Sequence, residues 1–240
     1  MAETWRYPDI SRLDGRFVTV ERLDPARDAA DLFNLSHNPP EYQRVFTFMS
    51  FGPFPSQTAM LDWLTSSAGS TDPLYFSVLD KAHQQRVGMV ALLNIVPAHG
   101  RVEIGSIWYS PLAQKTKVNT EVTYLFLKTL FGEYHYRRVE WKCDNANLAS
   151  KQAALRMGFL YEGLFRQHML VKGKNRDTAW FAILDGDWPA LEEHFEAYLS
   201  GKAASLSELN QAGKRNLTQT MAQPGQGSVN TDKEDEHRQE

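Results

Sequence analysis

Two strand–loop–helix units in the middle of the chain carry the residues best suited to chemistry. In the first unit, residues 102–131, a predicted strand ends in a polar turn with Lys115 and Lys117, and a helix follows directly. The first backbone N–H groups of a helix have no partner within it, and with the helix dipole they favour a bound phosphate or pyrophosphate. This pattern predicts an anion site, although a plain connection with solvated lysines has the same pattern.

The second unit, residues 139–166, places polar side chains at the start of a helix. Asn147 is a good N-cap residue, and Ser150 lies at the third helical position. Gly158 follows the helix and suits the left-handed conformation of a C-cap. The pattern by itself also fits residues that only stabilise the helix ends, and for Gly158 that interpretation is the better one.

Together the two units resemble the two central motifs of the GNAT superfamily of acetyltransferases. Gln114 matches the start of the first motif, Gln/Arg-x-x-Gly-x-Gly/Ala. In the second motif, a Gly-Phe pair stands eleven residues after an asparagine, as Gly158-Phe159 does after Asn147. The resemblance covers about residues 15–190 and is strongest to the branch of ribosomal-protein N-terminal acetyltransferases. That branch shares the order Asn147, Ser150, Gly158-Phe159, Glu162-Gly163 and Arg166.

The resemblance implies acetyl-CoA as co-substrate and a set of residues that bind it. Lys117 and Asn119 stand where the family has glycines, and we expect the site to survive because a helical loop needs no positive φ. Lys117 can then pair with a phosphate as a point charge. The implied acetyl-CoA contacts are Ile107, Trp108, Tyr109, Gln114, Lys115, Thr116, Lys117, Val118, Asn119, Thr120, Asn147 and Ser150.

The resemblance also implies direct attack of a neutral amine on the thioester, with a proton donor and a base nearby. Many family members have a tyrosine seven residues after the motif asparagine, where this chain has Ala154, so Ser150 is the expected donor at the sulfur. Glu103 is a candidate base, or else a strand-edge salt-bridge partner. The peptide-acetylating branch has a glutamate base at the position of Met169. The adjacent His168 is a second candidate base, or an ordinary solvated histidine.

An aromatic stretch over 42–54 is the candidate acceptor pocket. It lies in a region that resembles the acceptor side of the fold and suits a bulky amine. The alternative is that these rings pack the helices that cover the site. The candidate substrate-binding residues are Tyr42, Phe46, Phe48 and Phe51.

Composition and missing motifs exclude other classes. The sequence has no HExxH, GxSxG, GxxxxGK[ST] or GxGxxG motif, and its seven histidines form no spaced metal set. A single cysteine, Cys143, excludes an internal disulfide, and a net charge of −3 gives no reason to expect nucleic acid as a partner. No apolar window suits a signal peptide or membrane span. We expect a cytoplasmic protein that is a monomer or homodimer, with no metal, nucleic-acid or membrane partner.

Periodicity predicts an α/β (α+β) fold with a mixed, mostly antiparallel sheet flanked by helices. We expect an N-terminal extension over 1–14, an acetyltransferase domain over 15–200, and a polar, disordered tail over 201–240 that is solvated or serves in docking. Predicted strands are 16–23, 74–79, 87–96, 101–109, 139–143, 159–161, 165–172 and 178–185. Predicted helices are 25–37, 56–68, 118–131, 147–157 and 187–199.

Three functions follow from these features. The first is N-acetylation of a small primary amine such as an amino acid, polyamine or amino sugar, which the missing peptide-branch glutamate favours. The second is acetylation of protein N-termini or lysines, which the Ser150 motif favours. The third is a non-enzymatic CoA-binding module, suggested by the absent glycines and by Ala154.

Overall fold

The computed structural model describes residues 5–211, which form eight strands and five α-helices. The strands are β1 (Arg12–Asp14), β2 (Val18–Arg22), β3 (Leu74–Asp80), β4 (Gln85–Val96), β5 (Arg101–Tyr109), β6 (Arg138–Asp144), β7 (Leu160–Val171) and β8 (Lys174–Leu184). The helices are α1 (Pro25–His37), α2 (Gln57–Ala68), α3 (Val118–Lys128), α4 (Leu148–Arg156) and α5 (Trp188–Ser200). A 3-10 segment, Pro40–Phe46, precedes α2, and a π-helical turn, Thr129–Glu133, extends α3.

All eight strands belong to one sheet in the order β1-β2-β3-β4-β5-β6-β8-β7. Among the described residues, β5 and β6 are the one parallel pair, and the other neighbours are antiparallel. The predicted mixed, mostly antiparallel sheet flanked by helices is therefore confirmed.

Two hydrophobic clusters fasten the helices to the sheet. Helices α1 and α2 pack with Phe46 on Met89 and Trp108 of β4 and β5. The larger cluster joins β2, β3 and the central strands to α3 and α5, and Phe126 of α3 meets Phe76 with ring centroids 5.1 Å apart. Because strand side chains alternate between faces, the two clusters cover both faces of the central strands, while the edge strand β7 is exposed.

Local capping accounts for several helix starts. The Asp24 carboxylate accepts hydrogen bonds from the first turn of α1, where Pro25 also favours a helix start. The Ser56 hydroxyl accepts from the N–H of Ala59 at 3.1 Å to begin α2. Gly201 ends α5 in the left-handed conformation, with a φ of 85°.

One pair of predicted strands is corrected. Residues 159–161 and 165–172 were expected as two strands, but they form the single strand β7, and β8 begins at Lys174, four residues before the predicted start. Register shifts after Tyr161 and Phe165 interrupt the pairing with β8, and Gln167 has a φ of 49°. These bulges break the alternation on which sequence analysis depends.

Both predicted domain boundaries fall inside ordered structure. Strand β1 pairs with β2, and Ile10 is buried in the core, so part of the expected N-terminal extension completes the sheet. After α5, residues 206–211 are helical, and Leu206 and Asn210 are buried. The remainder of the expected tail, 212–240, lies outside the described residues.

Two further features were searched within residues 5–211. There, no helix is both long and apolar enough to cross a bilayer. In the same part of the chain, no group of three or more His, Cys, Asp or Glu side chains is arranged to hold a metal ion.

Candidate active site

A gap between β5 and β6 defines the site. The two strands pair only at their first three residues, where Glu103 lies opposite Glu140 at the end of the ladder. Beyond this point the backbone edges of 104–109 and 141–144 face each other without strand pairing. Unpaired backbone groups along two strand edges can form hydrogen bonds with an extended amide-containing ligand.

A β-bulge in β5 shapes one side of this gap. The register with β4 shifts so that Ser106 and Ile107 stand opposite one residue, and Ser106 has a φ of 49°. Next to the bulge, a Cβ atom on Gly105 would lie 3.1 Å from Oε1 of Glu103 and 2.8 Å from Leu93. The glycine therefore keeps space open beside the Glu103 carboxylate.

A cavity of about 490 Å³ opens over the gap. Residues of β5, β6 and the start of α4 line it, together with the segment 48–50 and the β7–β8 hairpin. Lys172, next to the hairpin turn, donates a hydrogen bond to the carbonyl of Phe46 at 2.9 Å and so connects the hairpin to the segment that leads to Phe48. The cavity is thus bounded by parts of the chain that are more than a hundred residues apart.

Glu103 lies in a buried cluster of charges at the closed end of the gap. Lys142 Nζ is 2.8 Å from Glu103 Oε2 and 3.0 Å from Glu140 Oε2, and Asn94 donates to Glu103 Oε2 at 2.6 Å. Burial raises the pKa of the Glu103 carboxyl group, although Lys142 and Asn94 oppose the shift. Both sequence interpretations apply to this residue, because it forms a salt bridge and also lines the cavity.

Ser150 reaches the cavity from the first turn of α4. Its backbone N–H donates to Asn147 Oδ1 at 3.1 Å, so Asn147 is the N-cap. The Trp141 indole N–H donates to Ser150 Oγ at 3.0 Å, and the Ser150 hydroxyl is also in hydrogen-bonding contact with the Cys143 thiol. Cys143 also lines the cavity, and burial raises the pKa of its thiol, so this neighbour is uncharged.

The start of α3 offers a set of free backbone donors. In the described structure, the N–H groups of 115–117 and of Asn119 and Thr120 form no backbone or side-chain hydrogen bond. Lys117 has helical backbone angles, φ −75° and ψ −9°, so the glycine usual in the family is not required here. This arrangement fits a pyrophosphate held by main-chain N–H groups.

Several side chains of this loop turn away from such an anion. Lys117 Nζ donates to the carbonyls of Tyr198 and Leu199 at the end of α5, 3.2 Å each, so the expected pairing of Lys117 with phosphate is not what the structure presents. Gln114 donates to the carbonyl of Tyr109 at 3.0 Å. Thr116 Oγ1 caps the N–H of Val118, whose side chain is buried. Of the predicted loop residues, Lys115 keeps an exposed side chain without a hydrogen-bond partner among residues 5–211.

Of the other residues predicted to contact a ligand near the gap, some line the cavity and others are buried in the core. Ile107 lines the cavity, whereas the Trp108 and Tyr109 side chains are buried in the core, which leaves only their backbones for a ligand. Thr120 is buried and accepts a hydrogen bond from Arg156 at 2.9 Å. His168 lines the cavity at its exposed rim, and its Nδ1 lies 3.0 Å from Thr178 Oγ1.

The aromatic stretch mostly serves packing, and three of the four predicted substrate contacts do not line the cavity. Phe46 is fully buried against His37, Phe54 and Trp108. Phe51 stacks on Trp63 at 4.2 Å, and Tyr42 does not line the cavity. Of the four, only Phe48 lines it, with Met49 and Ser50. Because all four residues are aromatic, the sequence does not distinguish those that pack in the core from the one that lines the cavity; tertiary contacts do.

Trp141, Lys142 and Arg176 are among the residues of the site that the sequence analysis did not select. Lys142 had a usable signal, because the alternation of strand side chains places it on the same face as Glu140, an opposite charge two residues away. Trp141 and Arg176 had none, since their roles depend on contacts with another element.

Comparison with known proteins agrees with this geometry. Residues 18–160 match the family model described as "Acetyltransferase (GNAT) domain". A GCN5-related N-acetyltransferase of Brucella melitensis is 38% identical, with 87% of this chain and 98% of that chain covered and a TM-score of 0.83. A GNAT-family protein of Chromobacterium violaceum is 37% identical, with 78% and 92% covered and a TM-score of 0.72. YdaF of Bacillus subtilis, named as a proposed ribosomal N-acetyltransferase, is 25% identical over 181 residues, 71% of this chain and 93% of YdaF.

The chain belongs to the GNAT acetyltransferase family. It is an acetyl-CoA-dependent N-acetyltransferase, and the interpretation as a non-enzymatic CoA-binding module is set aside. The β5–β6 gap and the free N–H groups at the start of α3 fit the pantetheine arm and pyrophosphate of this co-substrate.

Proposed function

We propose that this enzyme acetylates the primary amine of a small molecule. The cavity over the β5–β6 gap carries the proposal, because its volume of about 490 Å³ is in the range of small-molecule sites. The contact between Lys172 and the carbonyl of Phe46 supports it further, since it joins the β7–β8 hairpin to the segment that leads to Phe48, and both border the cavity.

We assign the proton transfers to two residues that line the cavity. Bound acetyl-CoA supplies the acetyl thioester. Glu103 accepts a proton from the amine through Oε1, which has no hydrogen-bond partner among the described residues. Ser150 is the proton donor at the thioester sulfur: its oxygen accepts from Trp141, and its hydroxyl lies between the Cys143 thiol and the cavity. His168, at the rim, is the alternative base, while Asn147 holds Ser150 in place by capping α4.

The second candidate is acetylation of a protein N-terminus. Two observations favour it: the similarity to YdaF, and a serine, Ser150, in the first turn of α4. Met169 occupies the position at which that branch has a glutamate, and this substitution argues for the small-molecule acceptor.

Thiol release from acetyl-CoA tests the proposal. The purified chain is offered a panel of small primary amines and a panel of peptides with different N-terminal residues, and acetylated products are identified by mass spectrometry. Reactions without an acceptor measure background hydrolysis. We expect turnover with at least one small amine, whereas turnover confined to peptides would replace the first candidate with the second.

A further inference from the structure

Arg176 is a cation without a partner on the acceptor side of the cavity. It lies in β8 opposite Met169 of β7, and both residues line the cavity. Among residues 5–211, no carboxylate lies within salt-bridge distance of its guanidinium group. Its Nε atom is buried without a hydrogen-bond partner. The two terminal nitrogens of the guanidinium group are not buried and form no hydrogen bond with a described residue, so they are the donors that a ligand in the cavity can reach.

The other cations around the cavity are already neutralised. Lys142 contacts Glu103 and Glu140, and Arg101 lies 3.6 Å from Glu140. Asp144 also lines the cavity; its Oδ1 accepts a hydrogen bond from the N–H of Ala146, and no described cation forms a salt bridge with it. Arg176 is therefore the lining arginine or lysine that forms no salt bridge with a described carboxylate.

The strand register places this charge near the open end of the gap. Thr178 pairs with Asp144 at the end of β6, and Arg176 lies two residues further along β8. At about 3.3 Å per residue, Arg176 lies roughly 7 Å beyond the Thr178–Asp144 pair and roughly 20 Å along β8 from Ala182, which is level with Glu103 and Glu140. An acceptor whose amine lies over the open part of the gap, beside Cys143 and Ser150, can thus extend a second group to Arg176.

We propose that Arg176 binds an anionic group, a carboxylate or a phosphate, of the acceptor amine. The inference rests on the proposed small-molecule function and narrows its substrate class. The planar guanidinium fork matches the paired oxygens of both groups and forms charge-assisted hydrogen bonds with them. Amino acids and phosphorylated amines fit this requirement, whereas a polyamine would place further positive charge beside Arg176.

Matched pairs of acceptors test the assignment. Leucine is compared with leucinamide, and O-phosphoethanolamine with ethanolamine, by acetyl transfer and by binding to the CoA-loaded protein. For one of the anionic compounds, we expect kcat/KM to exceed that of its neutral partner by roughly ten- to a hundredfold, the range of a hydrogen bond to a charged group. Arg176→Gln should abolish the preference, and Arg176→Lys should restore part of it.

Arg166→Gln is the control, since Arg166 is an exposed arginine in β7 that does not line the cavity. Acetyl-CoA binding and melting temperature are measured on each variant. Equal rates for charged and neutral amines in the unmodified protein would overturn the assignment and leave the proposed function intact. Failure of both anionic compounds to bind would also overturn it. A loss of acetyl-CoA affinity in Arg176→Gln would reassign Arg176 to the co-substrate.

Discussion

At the scale of single residues, the two oxygens of the Glu103 carboxylate have different surroundings. Oε2 is held by Lys142 and Asn94, while Oε1 points to the space that Gly105 leaves free. One oxygen therefore fixes the side chain and the other remains available to accept a proton. Burial raises the pKa of this carboxyl group, which makes it a stronger base than an exposed glutamate.

Glu103→Gln should lower kcat/KM by roughly a hundred- to ten-thousandfold, the usual contribution of a general base. Activity should rise with pH as Glu103 loses its proton, and because its pKa is raised, this limb should lie above the range of an ordinary glutamate. The amine acceptor titrates in the same way in both reactions. Dividing the wild-type pH–rate profile by the Glu103→Gln profile therefore cancels that titration and isolates the contribution of the carboxylate.

Glu140→Gln is the matched control, because Glu140 contacts the same Lys142 but does not line the cavity. Both variants remove one carboxylate from a buried lysine, so both should be less stable. Only Glu103→Gln should lose the rise of activity with pH that reports the titration of the base. If both variants keep this rise, Glu103 is a salt-bridge partner and the base is His168 or water.

Ser150→Ala should lower kcat by roughly ten- to a hundredfold, because a proton donor is lost but water can replace it in part. Its apparent affinity for acetyl-CoA should change much less. The variant should also lose about 1–3 kcal/mol of stability, since the buried Trp141 N–H is left unpaired. Steady-state kinetics and thermal melting on the same preparation measure both effects.

Trp141→Phe separates catalysis from stability. It removes the same hydrogen bond but keeps the Ser150 hydroxyl in the cavity. We expect its kcat to stay well above that of Ser150→Ala. Equal kcat values for Ser150→Ala and the unmodified protein would assign Ser150 a structural role alone.

At the scale of elements, the sequence predicted what depends on neighbouring residues. The Asn147 cap and the Gly158 terminus follow from local chemistry, and both are present, with a φ of 97° at Gly158. Contacts between strands could not be predicted, because they depend on strand register. The contact of Lys142 with Glu103, for example, follows from the register of β5 and β6. For the same reason, nothing near Lys117 in the chain indicates that it binds carbonyls of α5.

The segment 202–211 is an element that composition analysis assigned to a disordered tail. The Asn210 side chain donates to the carbonyl of Arg156 at 2.8 Å and contacts His194, while Leu206 is buried in the core. Truncation after residue 201 should therefore lower the melting temperature. Loss of the buried leucine alone costs about 1.5–3 kcal/mol, and each kcal/mol corresponds to about 2–4 °C in a domain of this size.

Truncation after residue 211 is the paired control, since it removes only the polar remainder of the chain. This shorter truncation should leave both melting temperature and turnover unchanged. Leu206→Ala in the full chain should reproduce much of the loss caused by the longer truncation. Equal stability of the two truncated proteins would contradict the packing of 206–211.

At the scale of the whole molecule, acetyl-CoA should stabilise the fold. A ligand that binds only the native state adds about 2.7 kcal/mol at a hundredfold excess over Kd, which corresponds to roughly 5–10 °C in melting temperature. Thermal melting with and without millimolar acetyl-CoA measures this shift. An unchanged melting temperature would contradict the binding site at the β5–β6 gap.

Asn119→Pro tests the backbone donors directly. A proline in the first turn of α3 removes an N–H that no other group uses, and helices tolerate it there. The acetyl-CoA-induced shift should shrink in Asn119→Pro and persist in Asn119→Ala, which keeps the N–H. Equal shifts in both variants would remove Asn119 from the pyrophosphate site.

Because the β5–β6 ladder is short, the sheet consists of two parts that few residue pairs connect. Strands β1 to β5 form one half, and β6, β8 and β7 form the other, joined in the described sheet by the three residue pairs at 101–103 and 138–140. A co-substrate bound in the gap contacts β5 on one side and β6 on the other, and so connects the two halves of the sheet. Because the acceptor cavity is lined by residues of both halves, its final shape depends on the bound co-substrate. We therefore expect an ordered reaction in which acetyl-CoA binds before the amine.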